Sequence, residues 1–198
     1  MEILQINNTI KNSVTYILYS ENVDYCVLID CGEWDTLKSA LQTIGKRVKT
    51  VLLTHGHTDH IYGLKGLIES TPSVIIGTNE CGHNELRDSK KNLSFYQDMP
   101  FKIEEYNSLV LYDGAVLHFD GLGDVKVIAT PGHTHSSLSY IVENNLFTGD
   151  AYIPGIRTYY KFPGSNKDMA LNSMTMLSEL EESGYNIYCG HHNYERFL

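Results

Sequence analysis

The sequence predicts a mixed α/β (α+β) fold in which two packed sheets carry helices on their outer faces. Three observations lead to that expectation. Short β-rich runs dominate both ends of the chain, segments of helical period lie between and after them, and no low-complexity tract, repeat or Pro/Ser linker interrupts the 198 residues. With 42% hydrophobic residues, a chain of this length can bury one substantial core, so a single domain over residues 1–198 is expected.

The elements follow in order. VTYILYS (14–20) and YCVLID (25–30) are rich in β-branched and aromatic residues and read as the first strands. Trp34, Leu37, Leu41 and Ile44 then recur at helical spacing, and Gly45 stops them as a C-terminal cap. TVLLTH (50–55) is a third strand, and the stripe Ile61, Leu64 and Ile68 predicts a helix beginning near Ile61. The second half repeats the scheme with DVKVIATP (124–131), LSYIVE (138–143) and NLFTG (145–149), followed by a helical stripe at Ala170, Met174 and Leu177. Each half therefore supplies one sheet. Residues 88–107 and 152–167 are the least periodic and read as long loops, a common place for function.

Charge and cysteine usage narrow the function. A net charge of −9 disfavours nucleic acid and anionic membrane as partners. Cys26, Cys31, Cys81 and Cys189 form no C-x-x-C pair, so neither a disulfide framework nor a thiolate zinc knuckle is expected, and a reducing cytoplasm suits them. The N-terminal stretch has neither a basic leader nor a long apolar run, and no later segment is long enough to span a bilayer; a soluble, unexported protein is expected.

The chemistry concentrates in Thr54-His55-Gly56-His57-Thr58-Asp59-His60, between a strongly apolar strand and a helix. Any one of these residues alone reads more readily as part of a solvated turn than as a ligand. Four potential ligands within six residues do not. In a strand-to-helix turn His55 and His57 can share one cation while Asp59 and His60 face a neighbouring one, and imidazole with carboxylate suits zinc, iron or manganese. His133, Asp150 and His191 stand near predicted strand ends, each directly after a glycine, where they can complete such a site.

With H-x-H-x-D-H at 55–60, a His after Pro-Gly at 133, an Asp after Thr-Gly at 150 and a late His after Gly at 191, the chain resembles the metallo-β-lactamase superfamily from about residue 13 to residue 192. The resemblance implies an αββα sandwich with the site at one edge, between the sheets. It implies two zinc ions per chain, or iron or manganese in their place: His55, His57 and His133 on the first, Asp59, His60 and His191 on the second, and Asp150 bridging. Asp150 together with Asp59 and His60 is similar to the hydroxyacylglutathione hydrolases and related lactonases. It differs from true β-lactamases, which lack the bridging aspartate, so antibiotic hydrolysis is not expected. H-x-H also differs from the H-x-E of di-iron flavoproteins, and there is no room for the domain inserted in nuclease members. The implied reaction is hydrolysis of an ester, thioester or lactone by a water activated between two metals, with Asp59 also able to orient that water or move its proton. The alternatives are a mononuclear iron persulfide dioxygenase using only His55, His133 and Asp150, and a non-catalytic metal-binding module. Hydroxyacylglutathione hydrolases carry a further helical domain that recognises glutathione, whereas this chain runs seven residues beyond His191; hydrolysis of a small-molecule ester, thioester or lactone, and not of a named compound, is expected.

Around the ligands, Asp30, Thr54 and Ser136 are candidates to orient imidazoles, Asp30 being equally readable as a turn carboxylate. His135 and His192 are expected at the surface, His83 and His118 as structural histidines, and Cys31 and Cys189 as small buried apolar residues. The loop from Ala151 to Lys161 mixes tyrosines with Arg157 and Lys161 and can face a substrate or pack on the protein's own helices. Lactonases of the family place a tyrosine where this chain has Ile153, and Tyr152 is offset from it by one.

Overall fold

The computed structural model describes residues 1–97 and 100–192. The first half forms a six-stranded sheet from β1 (Glu2–Asn7), β2 (Val14–Tyr19), β3 (Tyr25–Ile29), β4 (Arg47–Leu52), β5 (Ile75–Thr78) and β6 (Asn107–Val110), paired in chain order. The first three strands run antiparallel, and β3 to β6 run parallel. The second half forms a five-stranded sheet in the order β11-β10-β9-β8-β7, from β7 (Val116–Phe119), β8 (Gly123–Ala129), β9 (Leu138–Val142), β10 (Asn145–Gly149) and β11 (Asn186–Cys189). Only β10 and β11 are parallel in this sheet, so Asp150 and His191 follow the same ends of neighbouring strands.

Burial separates the layers. Ile17, Cys26, Leu28, Val51 and Leu53 point outward from the first sheet, against Leu37 and Leu41 of α1 (Trp34–Ile44) and Leu64 and Leu67 of α3 (Leu64–Ser70). The alternate residues Tyr16, Leu18, Val27, Ile29 and Leu52 face the other way and meet Val125, Val127, Tyr140 and Phe147 of the second sheet. Leu146 on that sheet's outer face packs on Leu177 of α5 (Lys167–Glu182), with Met174 beside it. Three apolar interfaces thus define four layers, helix on sheet on sheet on helix.

The first helix agrees with its stripe, and Gly45 closes it in the left-handed conformation (φ 65°). The helix expected to begin near Ile61 differs. It starts at Thr58 as the short α2 (Thr58–Ile61), breaks at Tyr62–Gly63 and resumes as α3. Packing decides both changes: Thr58 N and Oγ1 both donate to the Asn92 carbonyl at 2.8 and 2.6 Å, and Gly63 sits so close to residue 32 that a Cβ there would lie 2.0 Å from the Gly32 carbonyl oxygen. An earlier start puts Asp59 and His60 on a helical turn. Between β5 and β6 lie α4 (Glu80–Leu86) and, inside the expected loop 88–107, a 3-10 turn at Ser94–Tyr96. Among the described residues, no helix is long and apolar enough to cross a membrane.

Candidate metal centre

The chain leaves β4 at Leu52 and runs through His55-Gly56-His57 into α2, with His57 in the extended N-cap position. The connection from β8 to β9 carries His133, Asp150 follows β10 and His191 follows β11. These four segments meet at one edge of the two sheets. The structure brings all seven predicted residues together there. His55, His57 and His133 form one group, Asp59, His60 and His191 a second, and His55, His60 and Asp150 a third; within each, the potential ligand atoms lie within 4.8 Å of one another. His57 Nδ1 is 3.0 Å from His133 Nε2, and His60 Nε2 is 3.4 Å from His191 Nε2. Asp150 stands between the two sets: Oδ1 is 3.4 Å from His60 Nε2, and Oδ2 is 3.2 Å from His191 Nε2 and 3.5 Å from His133 Nε2.

Four imidazoles are pinned by Nδ1, which turns Nε2 inward. Their partners are Thr54 Oγ1 for His55 (3.1 Å), Asp30 Oδ2 for His60 (2.8 Å), the Tyr159 carbonyl for His133 (2.8 Å) and the Lys11 carbonyl for His191 (2.9 Å). His57 faces the opposite way and presents Nδ1. Asp30 also accepts from Thr54 N and Oγ1, both at 2.7 Å, so one buried carboxylate braces His60 directly and His55 through Thr54.

Burial, reinforced by neighbouring imidazoles, holds His55, His57 and His133 below the usual histidine range. Burial also opposes charge on His60 and His191, but facing carboxylates outweigh it and raise both, with Asp150 first in each case. Burial pushes the Asp150 carboxyl up, while His191 and His60 more than reverse this and hold it well below the carboxylate range. A carboxylate that draws protons onto two imidazoles would draw a cation in their place. Among the described residues, His55 Nε2 and Asp150 Oδ1 are buried with no hydrogen-bond partner, although both point into this cluster. The all-nitrogen-and-oxygen donor set and the two orphaned atoms fit the binding of divalent metal.

Comparison with known proteins agrees with this geometry. Residues 9–191 match the family described as the Metallo-beta-lactamase superfamily. The chain belongs to this superfamily. Among curated relatives, a hydroxyacylglutathione hydrolase of Buchnera aphidicola is 26% identical over 91% of the chain and 62% of its own length; one of Bartonella henselae is 28% identical over 88% and 61%. The chain therefore spans about three fifths of these relatives' lengths. Of solved structures, the B3 metallo-β-lactamase BLEG-1 superposes with a TM-score of 0.85 at 22% identity, covering 96% of this chain and 92% of that one. ETHE1 from Myxococcus xanthus superposes with a TM-score of 0.70 at 23% identity, covering 99% and 78%. At these identities the likeness is one of fold.

Within this metallo-β-lactamase fold the remaining predicted residues divide. Asp30 and Thr54 orient imidazoles as expected, and Asp30 does so from a left-handed backbone (φ 61°). Ser136 does not: its Oγ donates to Glu85 Oε2 rather than to any imidazole. His135 and His192 are exposed. His83 is buried between the Tyr106 hydroxyl and the Leu109 carbonyl, and His118 is exposed beside Asp120 and Asp124. Cys31 is buried and its thiol pushed up by that burial, while the half-buried Cys189 thiol donates to the His191 carbonyl at 3.3 Å. Tyr152 turns away from the site and donates to Glu181 of α5 at 2.5 Å. Part of its loop does approach: Ile153, Ile156, Arg157, Thr158 and Tyr159 line a cleft with His133 and Asp150.

Sequence reasoning missed Glu85, Phe162 and the carbonyls of Lys11 and Tyr159. Phe162 stands edge-on to His57 and His133, with ring centroids 5.0 and 5.7 Å away. Main-chain carbonyls carry no residue-type signature, and neither Glu85 nor Phe162 has a neighbouring motif that marks it.

Proposed function

We propose that the protein is a metal-dependent hydrolase that cleaves an ester, thioester or lactone, with His55, His57 and His133 holding one zinc ion, Asp59, His60 and His191 a second, and Asp150 shared between them. The observation that carries this reading is the position of Asp150, whose two oxygens face histidines of both groups. When bound, such a metal pair lowers the pKa of a water toward neutrality and polarises a carbonyl.

The chain's own residues supply the rest. Asp30, Thr54, Tyr159 and Lys11 fix four imidazole tautomers so that lone pairs, not N–H groups, face inward. Asp59 is held through its backbone carbonyl, which accepts from Ser13 Oγ at 2.6 Å, leaving its carboxylate to hold metal and to orient or move the proton of the attacking water. Phe162, edge-on to His57 and His133, shields that side from bulk water, and the tilted Tyr159 ring backs it with centroids 4.5 Å apart. Arg157, on the cleft wall beside His133 and Asp150, favours a substrate with an anionic group near the scissile bond. The relatives' name suggests a hydroxyacyl thioester as one member of the class. Since the chain spans 62% of such a relative's length, the proposal stops at the bond type.

Metal analysis of protein purified without chelator, together with a hydrolysis screen of thioesters, lactones and esters, tests the proposal. About two zinc ions per chain and hydrolysis of at least one class are expected. One iron per chain with oxygen consumption on a persulfide would replace this reading by the dioxygenase alternative, in which Asp59, His60 and His191 have no task.

A further inference from the structure

We infer that Glu85 is the positioning residue that couples the two loops of the His55/His57/His133 group; the inference rests on the ligand reading above. Glu85 lies on α4 and is buried. Its Oε2 accepts from the backbone N–H of Gly56 at 2.9 Å and, in a shorter contact, from Ser136 Oγ. Gly56 is the residue between His55 and His57, and Ser136 is three residues beyond His133. One oxygen thus joins both ligand-bearing loops.

The surroundings make this joint stiff. The His55–His57 loop lies directly on the Glu85 side chain, where a Cβ at position 56 would come within 2.5 Å of both Glu85 Cβ and Oε2. The other loop is knotted by its own hydroxyls: Thr134 Oγ1 is 2.7 Å from Ser136 Oγ and 3.1 Å from Ser137 Oγ. α4 grips this turn at a second point, since Asn79, its N-cap, donates from Nδ2 to the Ser136 carbonyl at 3.1 Å. Fixing α4 therefore fixes the separation of the two loops. A buried carboxylate is costly to desolvate, and an apolar side chain would fill the space more cheaply but could not accept from two loops at once. The Asp59/His60/His191 group is braced elsewhere, by Asp30, Ser13 and the Lys11 carbonyl. Removing Glu85 should loosen one metal position and spare the other.

The test is titration of metal-free protein with cobalt(II) and with zinc against a chromophoric chelator, following the cobalt d–d bands, for wild type, Glu85→Ala, Glu85→Gln, Ser136→Ala and His133→Ala. Glu85→Ala is expected to weaken one of the two metals by about 10- to 100-fold, the same one lost in His133→Ala. Glu85→Gln should keep most of the affinity, because an amide oxygen in the place of Oε2 can accept from both Gly56 N and Ser136 Oγ. Ser136→Ala should fall between. Wild-type affinity at both positions in Glu85→Ala, equal weakening of both, or a Gln variant as impaired as the Ala variant overturns the assignment. Should Glu85→Ala not fold, Ser136→Ala decides alone: unchanged affinity overturns the coupling. His133→Ala separates the two levels. If it retains both metals, the ligand reading fails and takes this inference with it; if it loses one while Glu85→Ala loses none, only the role of Glu85 falls.

Discussion

Replacing Asp30 by Asn changes one atom yet removes the brace that His60 and His55 share. The carboxylate accepts three hydrogen bonds, from Thr54 N, Thr54 Oγ1 and His60 Nδ1, all at 2.7–2.8 Å. An amide cannot take all three. Whichever way it turns, its NH2 meets either the Thr54 N–H or the His60 Nδ1–H, donor against donor. Hydrogen bonds to a charged acceptor contribute about 1.5–3 kcal/mol each, and a buried donor left unpaired costs a further 1–3 kcal/mol. A loss of about 3–5 kcal/mol of stability follows, as for other broken buried polar pairs. Asp30→Ala should be worse by about 1 kcal/mol, because Asn tolerates the left-handed backbone at φ 61° and Ala does not. Urea denaturation of the metal-free protein measures the stability loss. Chelator competition measures the second effect, since an amide NH2 turned toward His60 leaves the imidazole a partner only if its proton moves to Nε2, which removes the inward lone pair a metal would need. Asp30→Asn within about 0.5 kcal/mol of wild type, with unchanged metal affinity, would refute the reasoning.

Other outcomes follow from the same geometry. Asp150→Ala should lower occupancy of both metals together, whereas His191→Ala should weaken mainly the position shared with Asp59 and His60; plasma emission analysis of dialysed protein reads both. Glu85, whose carboxyl is raised by burial from 4.5 to about 7, contributes stability that is fully present below its unfolded value and is lost as the pH rises through about 7. Metal-free wild type should therefore lose about 3 kcal/mol relative to Glu85→Gln across that window, at about 1.4 kcal/mol per unit; parallel denaturation curves for the two proteins across it would contradict the burial that raises the group. Tyr152→Phe should cost about 0.5–1.5 kcal/mol of stability through the lost bond to Glu181 while leaving turnover within about twofold, and a tenfold fall in kcat would place its hydroxyl at the substrate after all.

The division between what was legible in the chain and what was not follows residue type. β2, β3, β4, β8, β9 and β10, the first helix and its glycine stop could be read because period and composition are local properties, whereas the short β5, β6, β7 and β11 were not read. His55, His57, Asp59 and His60 could be read because four ligand types crowd one turn, and His133, Asp150 and His191 because each follows a glycine near a strand end. The helix break at Gly63 could not, since it depends on how closely residue 32 approaches, nor could the role of Ser136, which turned on the position of a helix 51 residues away. Sequence by itself determined which potential donor atoms the cluster can offer, because a side chain's donor atoms travel with the residue. Only tertiary structure decided how those donors are aimed: through the carbonyls of Lys11 and Tyr159, the carboxylate of Asp30 and the hub at Glu85, whose partners lie 24 to 180 residues apart and meet only because strand register and helix packing bring them there.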